Sequence, residues 1–493
     1  MDLFGNVITG GTAFFLLLAV GLALAFEFVN GFHDTANAVA TVIYTNSLRA
    51  RSAVVWSGCW NLLGVLLSSG AVAFSVTALL PVELVLNVGS AAGFAMVFAL
   101  LISAMIWNVG TWYLGLPASS SHTLIGSIMG VGLANSLLTS GGVFGVGVDW
   151  AKTKDVALSL VLSPIMGFFG AGLILLLAKS LLKRAELYRP PDGKNPPPLP
   201  IRALMILTCT GVSFAHGSND GQKGMGLIML ILVGILPGSY ALNMQAQPGE
   251  IAELVQAGGH AEAIFARRAS GLPAGDAGEI SAFLKSRGVA GPKTFAALAS
   301  VERSIAAKLE GKETLAGLTN EERRALRSDL YLVSEAISKF IKTGKVDDPG
   351  EVAELRRYRV EADRITKFIP NWVKIAVAIA LGLGTMIGWK RIVVTVGEKI
   401  GKVHLAYAQG ASAELVAMTT IGLADVYGLP VSTTHVLSSG VAGTMAANRS
   451  GVQLHTMRNL ILAWVLTMPV CVLLGAGIFA LGLNILLALG LGR

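Results

Sequence analysis

Eight long apolar runs set the hydrophobic pattern of this chain, and the polar residues cluster between them. A helix needs about 20 apolar residues to cross some 30 Å of hydrocarbon, and the runs approach or exceed that length. They are residues 12–30, 52–80, 91–116, 156–182, 203–235, 372–389, 412–427 and 460–491, the last with room for one or two spans. The pattern predicts an all-α fold, a polytopic transmembrane helical bundle.

The composition of the 493 residues agrees with a membrane protein. Charged residues make up only 14% of the chain, whereas soluble domains carry about a quarter. About half of all Lys, Arg, Asp and Glu fall within 241–370, so the rest is too apolar for a water-soluble protein. The net charge of +8 fits Lys and Arg at membrane interfaces, and we expect no nucleic-acid partner.

Neither the N-terminus nor the cysteines point to a secreted protein. The run at 12–30 lacks a basic leader and a small-residue cleavage site, so we predict a retained helix. The three cysteines, Cys59, Cys209 and Cys471, lie far apart in apolar segments. Their odd number and spacing argue against a disulfide framework and against a cysteine metal site.

Two polar stretches divide the apolar runs. Residues 245–369 mix Ala, Glu, Lys and Arg with helical periodicity, which predicts a small soluble helical insertion without a catalytic motif. The stretch RPPDGKNPPPLP begins a Pro-rich linker that we place at 189–202. The predicted domains are then a first transmembrane repeat at 1–188 and a second at 203–244 and 370–493.

Two short sequence patterns occur twice, once in each half. Residues 28–37 read FVNGFHDTAN and residues 214–223 read FAHGSNDGQK, with Gly three residues before Asp in both. Residues 115–130 read GLPASSSHTLIGSIMG and residues 428–443 read GLPVSTTHVLSSGVAG. Internal repetition of this kind indicates that the two halves are copies of one helical unit.

The positions of basic residues orient the two halves. Arg49, the Lys183–Arg184 pair, Arg202 and Lys390 mark cytoplasmic points by the positive-inside rule. Counting from them, 12–30 runs inward and the segment from 203 runs outward. We therefore predict inverted-topology repeats with a site near mid-membrane, as in many secondary transporters. The same count places the insertion on the non-cytoplasmic side.

Asp34 and Asp220 are the main candidates for binding a cation or a proton. A carboxylate inside an apolar span costs about 2.5–3.5 kcal/mol on insertion scales. An unpaired one would be protonated or would hold a cation. The alternative is a structural aspartate that caps a broken helix, but two at matched places favour a functional role.

The Gly-Leu-Pro-x-Ser segments predict discontinuous, re-entrant helices that bind an anion. Pro117 and Pro430 suit the first turn of a helix, and helix N-termini rich in hydroxyls bind anions. The candidates are Ser119, Ser120, Ser121, Thr123, Ser432, Thr433 and Thr434. The alternative is that these residues are ordinary N-caps. His122 and His435 are as consistent with structural histidines as with proton carriers.

Glu414 is a further candidate because it stands alone in an apolar stretch, sixteen residues before Pro430. An intramembrane glutamate is a functional candidate by default. Its position breaks the symmetry, since Leu101 stands at the equivalent spacing before Pro117. The alternative is a structural pair with a nearby cation such as Lys402.

These four segments closely resemble the paired signatures of the inorganic phosphate transporter (PiT) family, in its bacterial low-affinity branch. The resemblance covers both apolar halves and leaves out the insertion. It implies an inverted-repeat symporter, often dimeric, in the bacterial cytoplasmic (inner) membrane. It assigns Asp34, Asn37, Asn219 and Asp220 to cation coordination. It assigns Ser120, Ser121, Thr433 and Thr434 to phosphate binding.

Two departures from the sodium-coupled pattern point to protons. The resemblance implies Gly-x-Asn-Asp-x-x-Asn-Ala in both halves, but His33 replaces an Asn in the first and Lys223 replaces an Asn in the second. A lysine ammonium supplies a fixed positive charge in place of a sodium ion, and histidine titrates near neutral pH. We therefore expect proton coupling, with sodium as the alternative. Glu414 matches an acidic family position whose first-half counterpart here is Asn61, and Gln222 is a further candidate.

Other functions fit the residues less well. Sulfate would suit the same helix ends, but phosphate can donate a hydrogen bond to a buried aspartate and sulfate cannot. A hydrolase needs one nucleophile with one base, whereas this chain duplicates its Ser/Thr-His segment and lacks a Gly-x-Ser-x-Gly elbow. A passive channel has little reason to bury paired acids. We expect a transporter without a resident cofactor, whose phosphate travels free or with a divalent metal.

Overall fold

The computed structural model describes every residue except 1, 4–5, 8, 35, 81–83, 86–87, 140–143, 146–147, 149, 192–194, 286–290 and 491–493. The first half contains α1 (Gly10–Asp34), α2 (Ala36–Tyr44), α3 (Ala50–Leu67), α4 (Ala71–Thr77), α5 (Ala91–Tyr113), α6 (Ser120–Thr139) and α7 (Trp150–Leu181). A pair of two-residue antiparallel strands, Asp2–Leu3 and Asn6–Val7, precedes α1, and a 3₁₀ turn at Ala185–Tyr188 follows α7.

The second half repeats this order around the insertion. It begins with α8 (Leu199–Ile235) and α9 (Pro237–Tyr240). After the insertion it resumes with α15 (Asn371–Met386) and α16 (Lys390–Val394), which continues into a π-helical turn at Thr395–Lys399. It ends with α17 (Tyr407–Val426), α18 (Thr433–Ala447) and α19 (Leu454–Ala488). Part of the predicted linker, 192–194, lies outside the described residues.

The fold is the predicted polytopic helical bundle. Among the described residues, six segments are long and apolar enough to cross a membrane: α1 with α2, and α3, α5, α7, α8 and α19. Large apolar side chains on their outer faces are exposed, including Leu17 at 74%, Leu181 at 79% and Leu473 at 72%. Exposed apolar surface on this scale is expected where lipid takes the place of water.

The structure corrects the prediction for one apolar run and decides the number of spans in another. The run at 52–80 is not one helix, because α3 ends at Leu67 and the chain turns before α4 begins at Ala71. The local sequence Ser-Ser-Gly favours this turn, since serine hydroxyls and glycine compete with helical hydrogen bonding. The run at 460–491 forms one span, because α19 continues through Pro469 to Ala488.

Helices of each half pack on helices of the other half. Helix α3 packs on α8 while α1 packs on α15, and α6 packs on α19 while α18 packs on α7. The glycine three residues before each motif aspartate makes the first two contacts. A Cβ at Gly31 would overlap the Leu381 carbonyl of α15, and a Cβ at Gly217 would overlap the Asn61 carbonyl of α3. The repeated glycine therefore allows the backbones to touch.

The insertion has a hydrophobic core of its own. Its helices are α10 (Pro248–Arg268), α11 (Ala277–Lys285), α12 (Pro292–Leu309), α13 (Asn320–Lys342) and α14 (Pro349–Thr366). The buried residues of this part form a cluster separate from those of the membrane helices. A capping box starts α13, in which Thr319 and Glu322 bond each other's backbone N–H groups.

The insertion is held at one end of the bundle. The Arg327 guanidinium donates to the carbonyls of Ala241 and Thr366, so it joins the points where the chain enters and leaves. Lys342 pairs with Asp155 at the start of α7 over 3.6 Å. At the other end of the bundle, Tyr44, Pro191 and Lys390 line one cavity. The insertion therefore lies opposite the basic loops.

We predict that the insertion loses stability as pH rises, because of the buried carboxyl group of Glu302 in α12. Its carboxyl is 2% exposed, and burial raises its pKa to about 8. The folded state then holds a proton that the unfolded chain loses above its lower, ordinary pKa. Between about pH 4.5 and 8 the free energy of unfolding should therefore fall, by up to about 1.4 kcal/mol per unit.

Hydrogen-exchange protection of α12 and α14 in the full chain, corrected for intrinsic exchange, measures this fall. Glu302→Gln should flatten the pH dependence, because the amide does not titrate. Glu313→Gln changes an exposed glutamate of the same domain and should keep the wild-type slope. A wild-type slope in Glu302→Gln would contradict the prediction.

Candidate functional site

The two motif aspartates meet in the interior of the bundle. Asp34 ends α1 and Asp220 lies within α8, and both side chains are buried. The Ser120 hydroxyl at the start of α6 donates to Asp34 Oδ2 over 3.0 Å and lies 3.4 Å from Asp220 Oδ2. Ser120, which belongs to the Gly-Leu-Pro-x-Ser segment, therefore bridges the aspartates of both Gly-x-x-Asp motifs.

The helices that carry the aspartates cross in opposite directions. Glu27, seven residues before Asp34, lies against Gly224, four residues after Asp220. Residues that precede one aspartate thus contact residues that follow the other. Both carboxylates lie close together at this crossing, since the Ser120 hydroxyl is within 3.4 Å of each.

The Gly-Leu-Pro segments interrupt helices, as the sequence predicts. Helix α5 ends at Tyr113 and α6 starts at Ser120, while α17 ends at Val426 and α18 starts at Thr433. Gly115 and Gly428 turn the chain with φ of +67° and +63°, a conformation that glycine adopts without strain. The breaks touch, because the Ser121 hydroxyl donates to the Val431 carbonyl over 2.7 Å.

The hydroxyls proposed to bind an anion have different partners. Ser119 and Ser432 accept from the backbone N–H of His122 and His435, so these two are N-caps. The Thr123 hydroxyl donates to the Ser120 carbonyl. The Thr434 hydroxyl donates to Asp34 Oδ1 over 2.6 Å, opposite the Ser120 bond. Thr433 is buried as the first residue of α18.

Asp34 therefore accepts one hydroxyl from each interrupted helix. The hydroxyls that converge on the central carboxylates come from Ser120 and Thr434. Ser119, Ser121, Thr123 and Ser432 hold the chain breaks in shape, as the N-cap alternative states for two of them. The anion-binding assignments remain predictions for all seven residues.

His122 and His435 pair where the two breaks approach each other. Their ring centroids lie 4.7 Å apart, and His435 also stacks on Trp464 at 4.3 Å. The Trp464 indole donates to the Pro117 carbonyl, which ties α19 to the first break. Nδ1 of His122 and Nε2 of His435 are buried and have no hydrogen-bond partner in the part of the chain that the structure describes. The pair thus offers two ring nitrogens beside the site.

Lys223 is bound to Asp220 in the interior. Its ammonium lies 2.6 Å from Asp220 Oδ1, and the side chain is fully buried. Both residues lie on α8, three positions apart, so the helix itself brings them together. The lysine places a fixed positive charge beside the two aspartates.

His216 was missed by the sequence analysis and lies between the aspartates. Its Nε2 is 3.3 Å from Asp220 Oδ2 and 3.8 Å from Asp34 Oδ2. Its Nδ1 lies 3.0 Å from Asn61 Oδ1, while Asn61 Nδ2 donates to Thr385. Asn61 then accepts from His216, so Nδ1 carries a proton and Nε2 faces two carboxylates.

A histidine four residues before Asp220 in an apolar run was a signal for this role. Asp34, His216 and Asp220 could hold a metal ion, because one ligand atom of each lies within 4.8 Å of the others. Two carboxylate oxygens and an imidazole nitrogen suit a divalent cation. No metal ligand was predicted from the sequence.

The other predicted site residues lie around this centre. His33 bonds Asp34 Oδ1 through Nδ1 and Thr111 through Nε2, both over 3.1 Å. Asn219 donates to the Leu429 carbonyl in the second break over 3.2 Å. Gln222 points away, toward Asp425 and the Val72 N–H. The side chain of Asn37 lies outside the described residues.

Glu414 lies apart from the aspartates. Its two carboxylate oxygens accept from the hydroxyls of Thr41 and Thr208. These partners differ from Lys402, which the sequence analysis named as the structural alternative. The geometry ties α17 to α2 and α8, and a transport role for Glu414 remains a prediction.

A second group that the sequence analysis missed comprises Glu27, Asn30 and Asn108. All three are fully buried, and none of their side-chain oxygens or amide nitrogens has a hydrogen-bond partner among the described residues. Glu27 and Asn30 precede Asp34 by two turns and one turn of α1. The glutamate stood in an apolar run, so its residue type was the available signal.

This arrangement offers a buried centre where two carboxylates, a lysine, a histidine and two hydroxyls converge. It can bind an anion and a cation together, since both charges are represented within a few ångströms. A path with two interrupted helices fits binding and release of a solute.

Comparisons with known proteins point the same way. A model described as the phosphate transporter family matches residues 30–475. The low-affinity inorganic phosphate transporter PitA of Escherichia coli (strain K12) is 43% identical, over 96% of this chain and 98% of that protein. The low-affinity inorganic phosphate transporter of Buchnera aphidicola subsp. Acyrthosiphon pisum is 40% identical, over 95% and 96%.

One solved structure has the same fold over nearly the whole chain. It is described as the sodium-dependent phosphate transporter and covers 95% of this chain and 98% of its own. The TM-score is 0.50 at 21% identity. At this identity the likeness supports the helical architecture alone.

The buried pair of Lys223 and Asp220 predicts strong energetic coupling. Lys223→Met should lower the free energy of unfolding by about 3–5 kcal/mol, because it leaves a buried carboxylate without its partner. Asp220→Asn should also destabilise the protein. The double variant should cost clearly less than the sum, since no unpaired charge remains at this pair.

The four free energies of this double-mutant cycle are measured by unfolding each purified protein in one detergent and monitoring tryptophan fluorescence. Lys342→Met, which breaks the exposed pair with Asp155, is the matched control and should cost little. Additive costs for Lys223→Met and Asp220→Asn would contradict the coupling.

Proposed function

This chain belongs to the phosphate transporter family and is a phosphate transporter, not an enzyme, and we propose that it is a proton-coupled symporter. We further propose that it works by alternating access in a bacterial cytoplasmic membrane, as a homodimer. The observation that carries the proposal is the meeting of Asp34, Asp220, Ser120 and Thr434 at one buried point.

Phosphate would bind between the two chain breaks. The N-terminal ends of α6 and α18 direct partial positive charge into this region. Ser120 and Thr434 would turn their hydroxyls from Asp34 to the phosphate oxygens, and Lys223 would supply a full positive charge. Ser121 and Thr433 are further candidates at the same ends.

Protonated phosphate suits the aspartates better than sulfate does. At neutral pH phosphate still carries a hydrogen that a carboxylate can accept, whereas sulfate would meet Asp34 and Asp220 as like charges. The relatives named as phosphate transporters support the same choice. Sulfate or a related oxyanion remains the alternative substrate.

Lys223 is the reason that we propose a proton, and not sodium, as the coupling ion. A lysine ammonium 2.6 Å from Asp220 Oδ1 balances that carboxylate, as a bound sodium ion otherwise would. A fixed cation of this kind removes the need for one transported sodium. The competing proposal is a sodium-coupled symporter.

A metal–phosphate complex is a second form in which the substrate could travel. Asp34, His216 and Asp220 present three donors within 4.8 Å of one another. A divalent metal bound there would neutralise the aspartates and the phosphate together, which lowers the cost of enclosing both in the protein. The metal in this case is cargo.

Alternating access would use the contacts between helices of the two halves. Because α3 packs on α8 and α1 on α15, the halves are related as inverted repeats in our proposal. Rocking of one set of helices against the other would open the breaks to one side and then the other. The insertion would remain on the non-cytoplasmic side, opposite the basic loops.

Uptake of radiolabelled phosphate by proteoliposomes tests the function. We expect accumulation when the outside is acidic, and none from a sodium gradient alone, because Lys223 replaces a sodium ion. Repeating the assay with Mg²⁺ or a chelator, and with labelled sulfate, separates the alternatives. Accumulation driven by sodium without a proton gradient would overturn proton coupling.

Ser120→Ala should raise the KM for phosphate about ten-fold or more. A hydrogen bond to a charged group contributes roughly 1.5–3 kcal/mol, and no other side chain bridges both aspartates from α6 in the described structure. Ser127→Ala is the control on the same helix, since its hydroxyl donates to the Thr123 carbonyl. An unchanged KM in Ser120→Ala would exclude the serine from the phosphate site.

A further inference from the structure

The carboxyl group of Glu27 is the buried acid that the proposed binding site leaves without a role. It is 0% exposed in the middle of an apolar helix, and neither oxygen has a hydrogen-bond partner among the described residues. A group this costly to bury marks a functional position in a membrane protein by default. Its surroundings show what that function is.

Glu27 lies beside the Lys223–Asp220 pair. Its side chain packs on Gly224, the residue after Lys223, where a Cβ would overlap it. Asp220, Lys223 and Gly224 lie on one face of α8, because residues three and four positions apart are neighbours on a helix. The ammonium ends a flexible four-carbon stem, so Lys223 can reach toward either carboxylate.

The observed geometry fixes the charge state of this arrangement. Lys223 contacts Asp220 at 2.6 Å, so its charge is already compensated. An ionised Glu27 would then be a buried charge without a partner, which costs several kcal/mol. Glu27 therefore holds a proton while Lys223 pairs with Asp220.

Loss of that proton would change the site. An ionised Glu27 would compete for the ammonium and draw Lys223 away from Asp220 and from the region between Ser120 and Thr434. The phosphate site would lose its fixed positive charge and would present a bare aspartate. Protonation of Glu27 and binding of phosphate would thus favour each other, as linkage requires.

We propose that Glu27 carries the coupled proton and that Lys223 transmits its charge state to the phosphate site. The proton binds Glu27 from the water of the outer side, and phosphate binds while Lys223 remains at Asp220. After reorientation the proton leaves to the inner side, Lys223 shifts toward Glu27, and phosphate is released. This inference rests on the proposed symport and assigns its proton to one residue.

The other titratable groups near Glu27 are already engaged. His216 lies between the aspartates, and His33 bonds Asp34 and Thr111. Helix α5, which packs on α1, carries no charged residue, and Lys374 of α15 donates to the Ser68 carbonyl. Asn30 and Asn108, whose side chains have no hydrogen-bond partner within the described part of the chain, are polar neighbours that carry no charge.

Glu27→Gln tests the proposal, because glutamine mimics the protonated form and cannot release a proton. In proteoliposomes we expect accumulation driven by a pH gradient to fall at least ten-fold. Exchange of labelled for unlabelled phosphate at equal pH should stay within about three-fold of wild type. Any pH dependence of exchange that remains in this variant should follow the ionisation of phosphate.

Two further variants make the test specific. Gly224→Ala, whose added methyl would displace the Glu27 side chain, should reduce accumulation more than exchange. Glu302→Gln changes another buried glutamate, in the insertion, and should leave both activities unchanged. If Glu27→Gln fails to yield monodisperse protein, Glu27→Asp replaces it, with a shifted pH profile of exchange expected.

Two results would overturn the proposal. One is wild-type accumulation in Glu27→Gln, and the other is equal loss of exchange and accumulation in well-folded protein, which would indicate a structural role. Failure of the proposed proton coupling gives a different result, since wild-type protein would then exchange phosphate but would not accumulate it under a pH gradient.

Discussion

The burial of two aspartates in the centre of an apolar bundle is the constraint on which this structure depends. Neither Asp34 nor Asp220 can be ionised there without compensation, since an isolated charge in hydrocarbon is costly. The protein supplies compensation from several elements: Lys223 and His216 on α8, Ser120 on α6 and Thr434 on α18. Each of these groups lowers the cost of the buried carboxylates, and because they come from both halves the site helps to hold the halves in register.

The helix geometry serves this centre. Gly31 and Gly217 let α1 and α8 touch the backbones of α15 and α3, which brings the aspartates close across the bundle. The breaks at Gly115 and Gly428 end helices inside the protein, where their backbone groups can face polar partners. In the proposed mechanism both halves would enclose a solute that binds here, and movement of one half against the other would change which side the solute can reach. Function and fold thus rest on the same contacts.

The insertion shows that not every buried charge serves transport. Glu302 is buried like Glu27, yet it lies in a part of the chain whose hydrophobic core is separate from those of the membrane helices. Its burial affects the stability of that domain through its raised pKa. Arg327 ties the entry and exit of the insertion together, so the added domain leaves the order of the membrane helices intact.

Local sequence determined the features that depend on neighbouring residues. The apolar runs predicted the membrane spans, the Gly-Leu-Pro segments predicted the helix breaks, and the repeated motifs identified the matched aspartates. These features depend on short segments, because the thickness of the hydrocarbon layer and the geometry of the helix act on neighbouring residues. The turn after Leu67 was missed because the apolar residues on both sides of Ser-Ser-Gly continue the hydrophobic pattern across it. Only the tertiary structure decided which polar groups meet. His216 and Glu27 looked like isolated polar residues until α1 crossed α8, and Glu414 found Thr41 and Thr208 instead of a lysine. Such contacts join residues up to 400 positions apart, and their energies depend on distances that no local pattern encodes.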